Sequence, residues 1–521
     1  MNLRVLSSII LATVLIPQAS AGPVELDVKS RYLGDVLRDV SHSSGTEIVV
    51  ADSLANDRIS STVSERDWND AIRSLLVGYN YEAQWNANGM MHRIIVSGRN
   101  GNGVGPDDDG KSAVYAGDML TYQASPTLFP EKFHGLNDGS VIPVNLDMPT
   151  LLSMKLGDRI GLSLPGGHYQ VVHDNRFEHE NGDVTWVGYL ENEGQGYRVI
   201  LTRGTDGTLG QVVTPDGVYN FDLQDGQTWL VDLNASGLQV SSLENDESDP
   251  VLTDGYRALQ AKAKRKVTAS KTVAAKAAKT ATAVPATTET ANPVVDLLVL
   301  YTKSVKGAPD IKTRINNLVA KANQAYLDSK INLKLRVVYS ALVAYTEANS
   351  NDAALSDLTN GRSVFSNVPS LRTQYGADLV TLIRPFAYKT QLSCGVAWVN
   401  GAGGGSMNAR YGFSVVSDGI DASTNYYCSD FTLAHELGHN LGSAHDVAHS
   451  NVQGRYPYSY GYGVNGKYGT IMSYYNPTVG FFSSPSLTYN KQVLGSTTAN
   501  NVLSINQTAP VVAGFVGTVV K

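Results

Sequence analysis

From Val24 the chain alternates apolar and polar residues (Val24, Glu25, Leu26, Asp27, Val28), the two-residue period of a half-buried strand. Leu33, Val36, Leu37 and Val40 then recur at helical spacing. Strand patterns return at 47–51 and 59–63. Trp68, Ala71, Ile72, Leu75 and Leu76 mark a second amphipathic helix, and 81–85 with 93–96 make a closing hairpin. Residues 22–97 therefore read as a small α/β module. A Gly-, Asn- and Asp-rich linker covers 98–112. Over 113–240 short alternating runs (183–189, 197–202, 218–221) are separated by turns such as Asp206-Gly207 and Asp216-Gly217, the pattern of an all-β domain.

The pattern dissolves at 241–293. An acidic patch from Glu244 to Asp249 leads to Ala261-Lys262-Ala263-Lys264-Arg265-Lys266 and an Ala/Lys/Thr-rich run ending at Pro293. So few large apolar residues predict a flexible linker with a processing site, or a solvated lysine-rich helix before cleavage. Periodicity resumes in 294–521. A buried strand is expected at 294–301, and Ile311, Ile315, Leu318, Val319, Ala322 and Ala325 mark a long amphipathic helix. Further strands are expected at 333–338 and 377–383, an edge strand at 395–399 and a helix at 429–441. A closing helix at 502–515 should break near Pro510.

A chain of 521 residues exceeds one ordinary core, and 42% hydrophobic with 17% charged residues is a folded soluble composition. A net charge of −7 gives no reason to expect nucleic acid or an acidic membrane surface as partner. Arg4, an apolar stretch at 5–16 too short to span a bilayer, and Ala19-Ser20-Ala21 read as a signal peptide over 1–21. No other membrane span is expected. The two cysteines, Cys394 and Cys428, should then form a disulfide tying the edge strand to the entry of the 429–441 helix; the alternative is two buried free thiols.

The chemistry concentrates in His435-Glu436-Leu437-Gly438-His439-Asn440-Leu441-Gly442-Ser443-Ala444-His445-Asp446. Histidines four apart lie on one helix face and can reach one ion. Catalytic zinc takes three protein ligands and keeps a fourth position open, so His445 is the third ligand. Gly442 is where the helix stops and the chain turns back, a conformation glycine tolerates. Glu436 is placed to take a proton from the attacking water and later deliver it to the leaving amine. Of the four histidines after Val294, three lie in this motif and the fourth is His449.

With Gly469-Thr470-Ile471-Met472-Ser473-Tyr474-Tyr475 downstream, the motif resembles the metzincin zinc peptidases. The resemblance makes Met472 the floor beneath the imidazoles. It gives Tyr474 a possible oxyanion role, with a merely packed tyrosine as the other reading and Tyr475 as a weaker candidate. Asp446 after the third histidine, Phe482-Ser483-Ser484-Pro485-Ser486 and the opening 295–302 strand narrow the likeness to the adamalysin/reprolysin branch. Bacterial peptidyl-Asp metalloendopeptidases are similar to it. This implies a metzincin-like α/β catalytic domain, a twisted mixed sheet with a zinc helix and Met-turn, over 294–521. Its edge strand would pair with extended substrate, and 476–487 would wall the pocket beyond the scissile bond. Asp446 would orient the loop or the metal shell, or serve as a simple cap or surface ion pair.

The 22–97 module resembles the short N-terminal domain of secretins and TonB-dependent receptors, and 113–240 the β-rich propeptide of related bacterial peptidases. In related peptidases a propeptide cysteine often silences zinc, but no cysteine precedes residue 394. A pro-region carboxylate or histidine could replace it; His168, His173 and Asp174 are in a plausible loop, yet nothing selects one over ordinary loop polarity.

The resulting expectation is a zinc metalloendopeptidase made as a preproenzyme, with one catalytic Zn2+, exported through the periplasm of a Gram-negative bacterium. Ca2+ binding is not indicated. The implied partners are protein or peptide substrates, the propeptide as inhibitor, and secretion machinery through the N-terminal module. The rival reading is an envelope-associated binding protein with a vestigial peptidase domain.

Overall fold

The computed structural model describes residues 24–51, 54–55, 58–65, 67–76, 79–85, 91–99, 115–123, 129–241, 246–248, 292–302 and 311–519. The expected signal peptide, nearly all of the 98–112 linker and the basic run at 261–266 lie outside the described residues. The chain divides into two units, Met1–Met119 with Gly157–Gln170, and Leu120–Leu156 with Val171–Lys521.

In the smaller unit the helix Leu33–Ser44 buries Leu33, Val36, Leu37 and Val40, the four positions that carry its helical period. It stops at Gly45, whose φ of 75° suits a residue without Cβ. The helix Trp68–Leu75 starts on the Asp67 carboxylate, which accepts from the Asp70 N–H. Strand Val24–Tyr32 pairs antiparallel with Arg58–Glu65, and Met91–Arg99 lies between Glu47–Val50 and Tyr79–Trp85. Both helices contribute to one apolar cluster with these strands.

The larger unit begins with an antiparallel β layer. Residues 171–178, Val184–Leu190, Gly194–Arg203, Thr208–Thr214, Gly217–Gln224, Gln227–Asp232 and Val141–Leu146 pair in that order. Apolar side chains such as Trp186, Val199, Leu201 and Val212 are buried, and so are the polar Thr185, Arg198, Thr202 and Gln211.

That polar face is covered by the helix Ile311–Asp328. Asn317 Nδ2 donates to Thr202 Oγ1 at 2.9 Å, Asn316 Nδ2 to Asp183 Oδ2 at 2.9 Å, and Arg198 Nε to Asp328 Oδ2 at 2.8 Å. The helix is therefore buried on both sides. Ile315, Leu318, Val319, Ala322 and Ala325 enter an apolar core, while Asn317, Lys321 and Gln324 are sealed under the β layer. Its polar stripe, which amphipathicity alone would assign to solvent, makes an interface.

Behind this helix is a six-stranded sheet in the order Glu247–Ser248, Gly395–Trp398, Phe413–Asp418, Leu379–Pro385, Val294–Thr302, Lys334–Val343. Apart from the antiparallel pairing of Gly395–Trp398 with Phe413–Asp418, its strands run parallel. Both faces are covered, hence the apolar run Leu297-Leu298-Val299-Leu300 in the strand Val294–Thr302. Val295, Leu297 and Val299 join the cluster containing the 311–328 helix, and Leu298 and Leu300 join a second cluster with Leu355 and Phe365 on the other face.

Two expectations need correction. Glu247–Ser248 are not linker: they form a short strand on the edge of this sheet. The closing helix Asn501–Val512 also runs through Pro510 without a break. Pro510 falls in the last turn, where a missing N–H costs one bond and the helix ends two residues later.

Candidate metal and active site

The helix Thr432–Asn440 is buried along its whole length. Leu433, Ala434, Leu437 and Leu441 anchor it in the core, which leaves His435, Glu436 and His439 on its other side. Gly442, with φ of 90°, turns the chain back. A Cβ there would lie 2.8 Å from the Arg455 side chain and 3.2 Å from the Asn400 carbonyl, so the turn requires glycine. His445 returns to the helix.

The three Nε2 atoms converge, with separations of 3.0 Å (His435–His445), 3.2 Å (His435–His439) and 3.1 Å (His439–His445). Three corners of a tetrahedron with metal–nitrogen bonds of about 2.0–2.1 Å are about 3.4 Å apart. The ring orientations agree with ligation. His435 Nδ1 donates to the Ile471 carbonyl at 2.6 Å and His439 Nδ1 to the Ser443 carbonyl at 2.9 Å. A carbonyl only accepts, so both Nδ1 atoms carry the proton and both Nε2 atoms turn a lone pair inward. The donor set fits zinc.

Sequence reasoning missed the fourth member. Asp246, fully buried, places Oδ1 2.7 Å from His445 Nε2 and 3.9 Å from His439 Nε2, and Oδ2 3.2 Å from His435 Nε2. One ligand atom from each of these four residues lies within 4.8 Å of the others. Burial opposes the Asp246 charge, but the imidazoles of His445 and His435 outweigh it and hold this carboxyl below the usual range. Burial pushes His439 well down, and the other two imidazoles add to that. The Asp246 carbonyl accepts from the Ala397 N–H at 3.2 Å, and Glu247 and Ser248 lie parallel to Ala397 and Trp398. The signal was the acidic patch at Glu244 to Asp249, in a chain with no cysteine before residue 394.

Glu436 is fully buried, and neither carboxylate oxygen has a hydrogen-bond partner among the described residues. Burial raises its pKa well above the ordinary range, and the charge on Asp246 raises it further. Its carboxylate abuts Gly395, where any Cβ would collide with it, so the edge strand needs glycine there. Cys394 and Cys428 form the disulfide, 5.4 Å apart at Cα, and tie that strand to the segment entering the histidine helix.

Met472 is fully buried with its sulfur directly against Gly438, beneath the histidine helix. Asp446 Oδ2 accepts from Ser473 Oγ at 3.0 Å and from the Tyr474 N–H at 3.1 Å. It thus joins the third-histidine loop to the turn around Met472, and its Oδ1 lies 2.7 Å from His449 Nδ1. The Tyr474 ring packs 4.2 Å from that of His445, and its hydroxyl donates to Asp246 Oδ1 at 2.8 Å. Tyr475 packs on His449 instead. Of the other residues considered as silencers of the metal, His173 stacks on Trp186, Asp174 pairs with Arg198, and His168 bonds Ser163 at 2.9 Å.

Residues 287–499 match the family model described as Metallo-peptidase family M12B Reprolysin-like. This region is a reprolysin-like metallopeptidase domain. Residues 122–236 match a BamI lipocalin-like domain, a β-rich match ahead of the reprolysin-like one. A peptidyl-Asp metalloendopeptidase of Pseudomonas aeruginosa is 32% identical over 220 residues, covering 38% of this chain and 35% of that protein. One from Xanthomonas campestris pv. campestris is 28% identical over 214 residues, covering 40% of this chain and 47% of that protein. The chain thus spans about a third to a half of the length of these relatives. Among solved structures, metalloproteinase-II from Bacteroides fragilis aligns at 10% identity and a TM-score of 0.40, covering 69% of this chain and 94% of that one. No helix among the described residues is long and apolar enough to cross a membrane.

Proposed function

We propose that this chain is a zinc metalloendopeptidase made in latent form, with His435, His439 and His445 as the zinc ligands and Glu436 as the proton carrier. The observation that carries the proposal is the pairing of three inward-facing Nε2 atoms with a buried, unpartnered carboxylate beside them. Zinc, when bound, supplies Lewis acidity toward the scissile carbonyl. Glu436 takes a proton from the attacking water and returns it to the leaving amine, and its burial suits a group that must hold a proton during turnover. The edge strand Gly395–Trp398 binds extended substrate by backbone hydrogen bonds, as it binds the chain's own Glu247–Ser248.

Latency follows from that last contact. Asp246 lies among the three histidines and the residues after it cover the sheet edge, so substrate and pro-segment compete for one place. A carboxylate at this position supports inhibition by the chain's own propeptide without a cysteine. Tyr474, which now donates to Asp246, becomes free on release of the segment to serve a developing oxyanion. Processing in the 249–291 region, export through the periplasm, and docking of the N-terminal module to secretion machinery complete the proposal.

The test is casein hydrolysis by the purified, processed chain beside Glu436→Ala, with zinc content measured on both. Hydrolysis by the wild type alone, with zinc in both, is the expected result. Zinc in both and no hydrolysis by either, after the pro-region is cut away, would favour a binding protein that keeps a metal site.

A further inference from the structure

The β layer and the segment that follows it reach the metallopeptidase domain at different places. The helix Ile311–Asp328 turns its apolar side toward the histidine helix, where Leu318 and Ala322 share a core with Leu433 and Leu437. Its polar side goes to the β layer. Arg198 of the layer donates from Nε to Asp328 Oδ2 at 2.8 Å and pairs through its other nitrogens with Asp328 and Asp174. The Arg198 side chain is 7% exposed and that of Asp328 6%, so the pair is shielded from water. Asn175 Nδ2 donates to Gln324 Oε1 at 2.9 Å, and Lys321 donates to Gln211. By contrast, the polar contacts that reach the three histidines from before residue 249 come from Asp246 and Glu247.

Two glycines show how closely the layer and the domain fit. A Cβ on Gly196 would lie 2.5 Å from the Tyr489 ring, and one on Gly204 would strike the Thr313 side chain. The nearest atoms at both positions belong to the metallopeptidase domain and none to the β layer. Neither glycine has a positive φ, so the layer's own backbone does not require them; the missing side chain serves the contact. A strand edge adds to it. The Gln239 and Ser241 N–H groups donate to the Asn425 and Tyr427 carbonyls, each at 2.8 Å. Ile420 and Tyr427 pack against the cluster of Phe133, Trp229 and Leu238. Departure of the layer would bare both the edge and these apolar side chains.

We propose that the β layer is a resident subunit of the processed protein. After the chain is cut within 249–291, the layer stays on the polar side of the helix Ile311–Asp328 without a covalent link. The segment after residue 241 is a tethered plug, and it alone must leave for the histidines to be reached. Tethering keeps its local concentration high, so a cut within 249–291 leaves the metal site blocked and a second cut at 242–245 opens it. The inference rests on the peptidase reading for the plug; retention of the layer can be measured without hydrolysis.

The test uses the full chain carrying Glu436→Ala, with recognition sequences for two unrelated added proteases placed within 255–285 and at 242–245. After both cuts, gel filtration and native mass spectrometry at low-micromolar protein should find the two parts together. Gly196→Ala with Gly204→Ala should weaken the complex by about tenfold or more, the scale of overpacking at a fitted contact. The uncut double variant should keep its zinc content and far-ultraviolet spectrum. Should the double variant misfold, each alanine alone meets a different element and should still weaken the complex. Separation of the parts with the contact unaltered, or a complex indifferent to the alanines, would overturn the proposal. With Glu436 restored, the doubly cut complex should hydrolyse casein while the layer remains bound, and the singly cut one should not. Hydrolysis only after the layer has separated would make the layer itself the plug and overturn the proposal. A doubly cut complex that holds together, with no hydrolysis whether the layer is bound or removed, would keep the subunit and end the peptidase reading.

Discussion

Two clusters of buried charge lie close together in the sequence and differ in one respect. In the first, Arg314 donates to Asp418 at 3.0 and 2.7 Å and to Asp430 at 3.3 and 2.6 Å, while Lys321 bonds Gln211 and lies 3.5 Å from Asp430. Every charge there is paired. In the second, five residues after Asp430, Asp246 is set among three imidazoles and Glu436 stands unpartnered. Burial alone does not separate the two clusters, since Lys321 and Asp430 of the first are as buried as the histidines of the second, and only Arg314 and Asp418 are partly exposed. Satisfaction does. The first is complete as it stands and fastens the helix Ile311–Asp328 to the strand Phe413–Asp418 and the segment entering the histidine helix, with Lys321 reaching Gln211 of the β layer, whereas the second gathers ligand atoms and keeps a buried carboxylate without a partner, which is costly unless it has chemistry to do.

The largest way to sharpen this contrast is Glu436→Gln. In the processed enzyme, peptide hydrolysis should fall by about 10²–10⁴-fold, the usual contribution of a general base. In the metal-free protein the same substitution should raise unfolding free energy by about 1–3 kcal/mol, because it removes an unpartnered carboxyl that burial and Asp246 make costly to ionise. Loss of activity together with loss of stability in urea titration would place Glu436 among ordinary structural residues.

Asp430→Ala should do the reverse. It strips Arg314 and Lys321 of a buried partner, and removing one side of a buried pair costs about 3–5 kcal/mol. Zinc content and the kcat of the folded fraction should stay near wild type. A stability change below about 1 kcal/mol would mean that the cluster is hydrated and that the contrast between the two regions is false.

Tyr474→Phe comes next. If the hydroxyl serves the oxyanion once Asp246 has left, kcat of the processed enzyme drops by about 10²–10³-fold with KM little changed. If the tyrosine only secures the pro-segment, processed Tyr474→Phe keeps its kcat and the unprocessed chain hydrolyses casein faster than wild type.

Much of this was legible before any coordinates. The histidine spacing and the Gly442 turn follow from local geometry, because a helix face and a glycine turn are set by neighbours a few residues apart; Met472 came only from the family resemblance. The element order of the 24–97 region is likewise written in its periodicity. Asp246 was not legible, because its role depends on a contact with residues nearly 200 positions away, made by a segment whose composition resembles linker. The burial of Asn317, Lys321 and Gln324 on the 311–328 helix was not legible for the same reason, since the apolar period marks the core face and says nothing of what covers the polar one. Pro510 reads as a helix breaker only if its distance from the helix end is unknown.

The smallest effect tests that β-layer contact through pH. Burial pushes Lys321 down to about 8, a drop that Asp430 opposes and Arg314 reinforces. A lysine lowered in the folded state means that the fold bears a buried ammonium ion at neutral pH. Its cost fades as pH climbs through the folded value toward the ordinary 10.5. Between those limits the unfolded chain holds more protons at this site, so its contribution to stability rises with pH. Other groups titrate in the same window, the tyrosines above all, so the measurement is the difference between wild type and Lys321→Met at each pH. The wild type should gain on the variant from about pH 8 upward and run parallel to it below. Parallel curves throughout would mean that Lys321 stays hydrated, that the β layer does not seal the helix, and that the first cluster is not closed by burial.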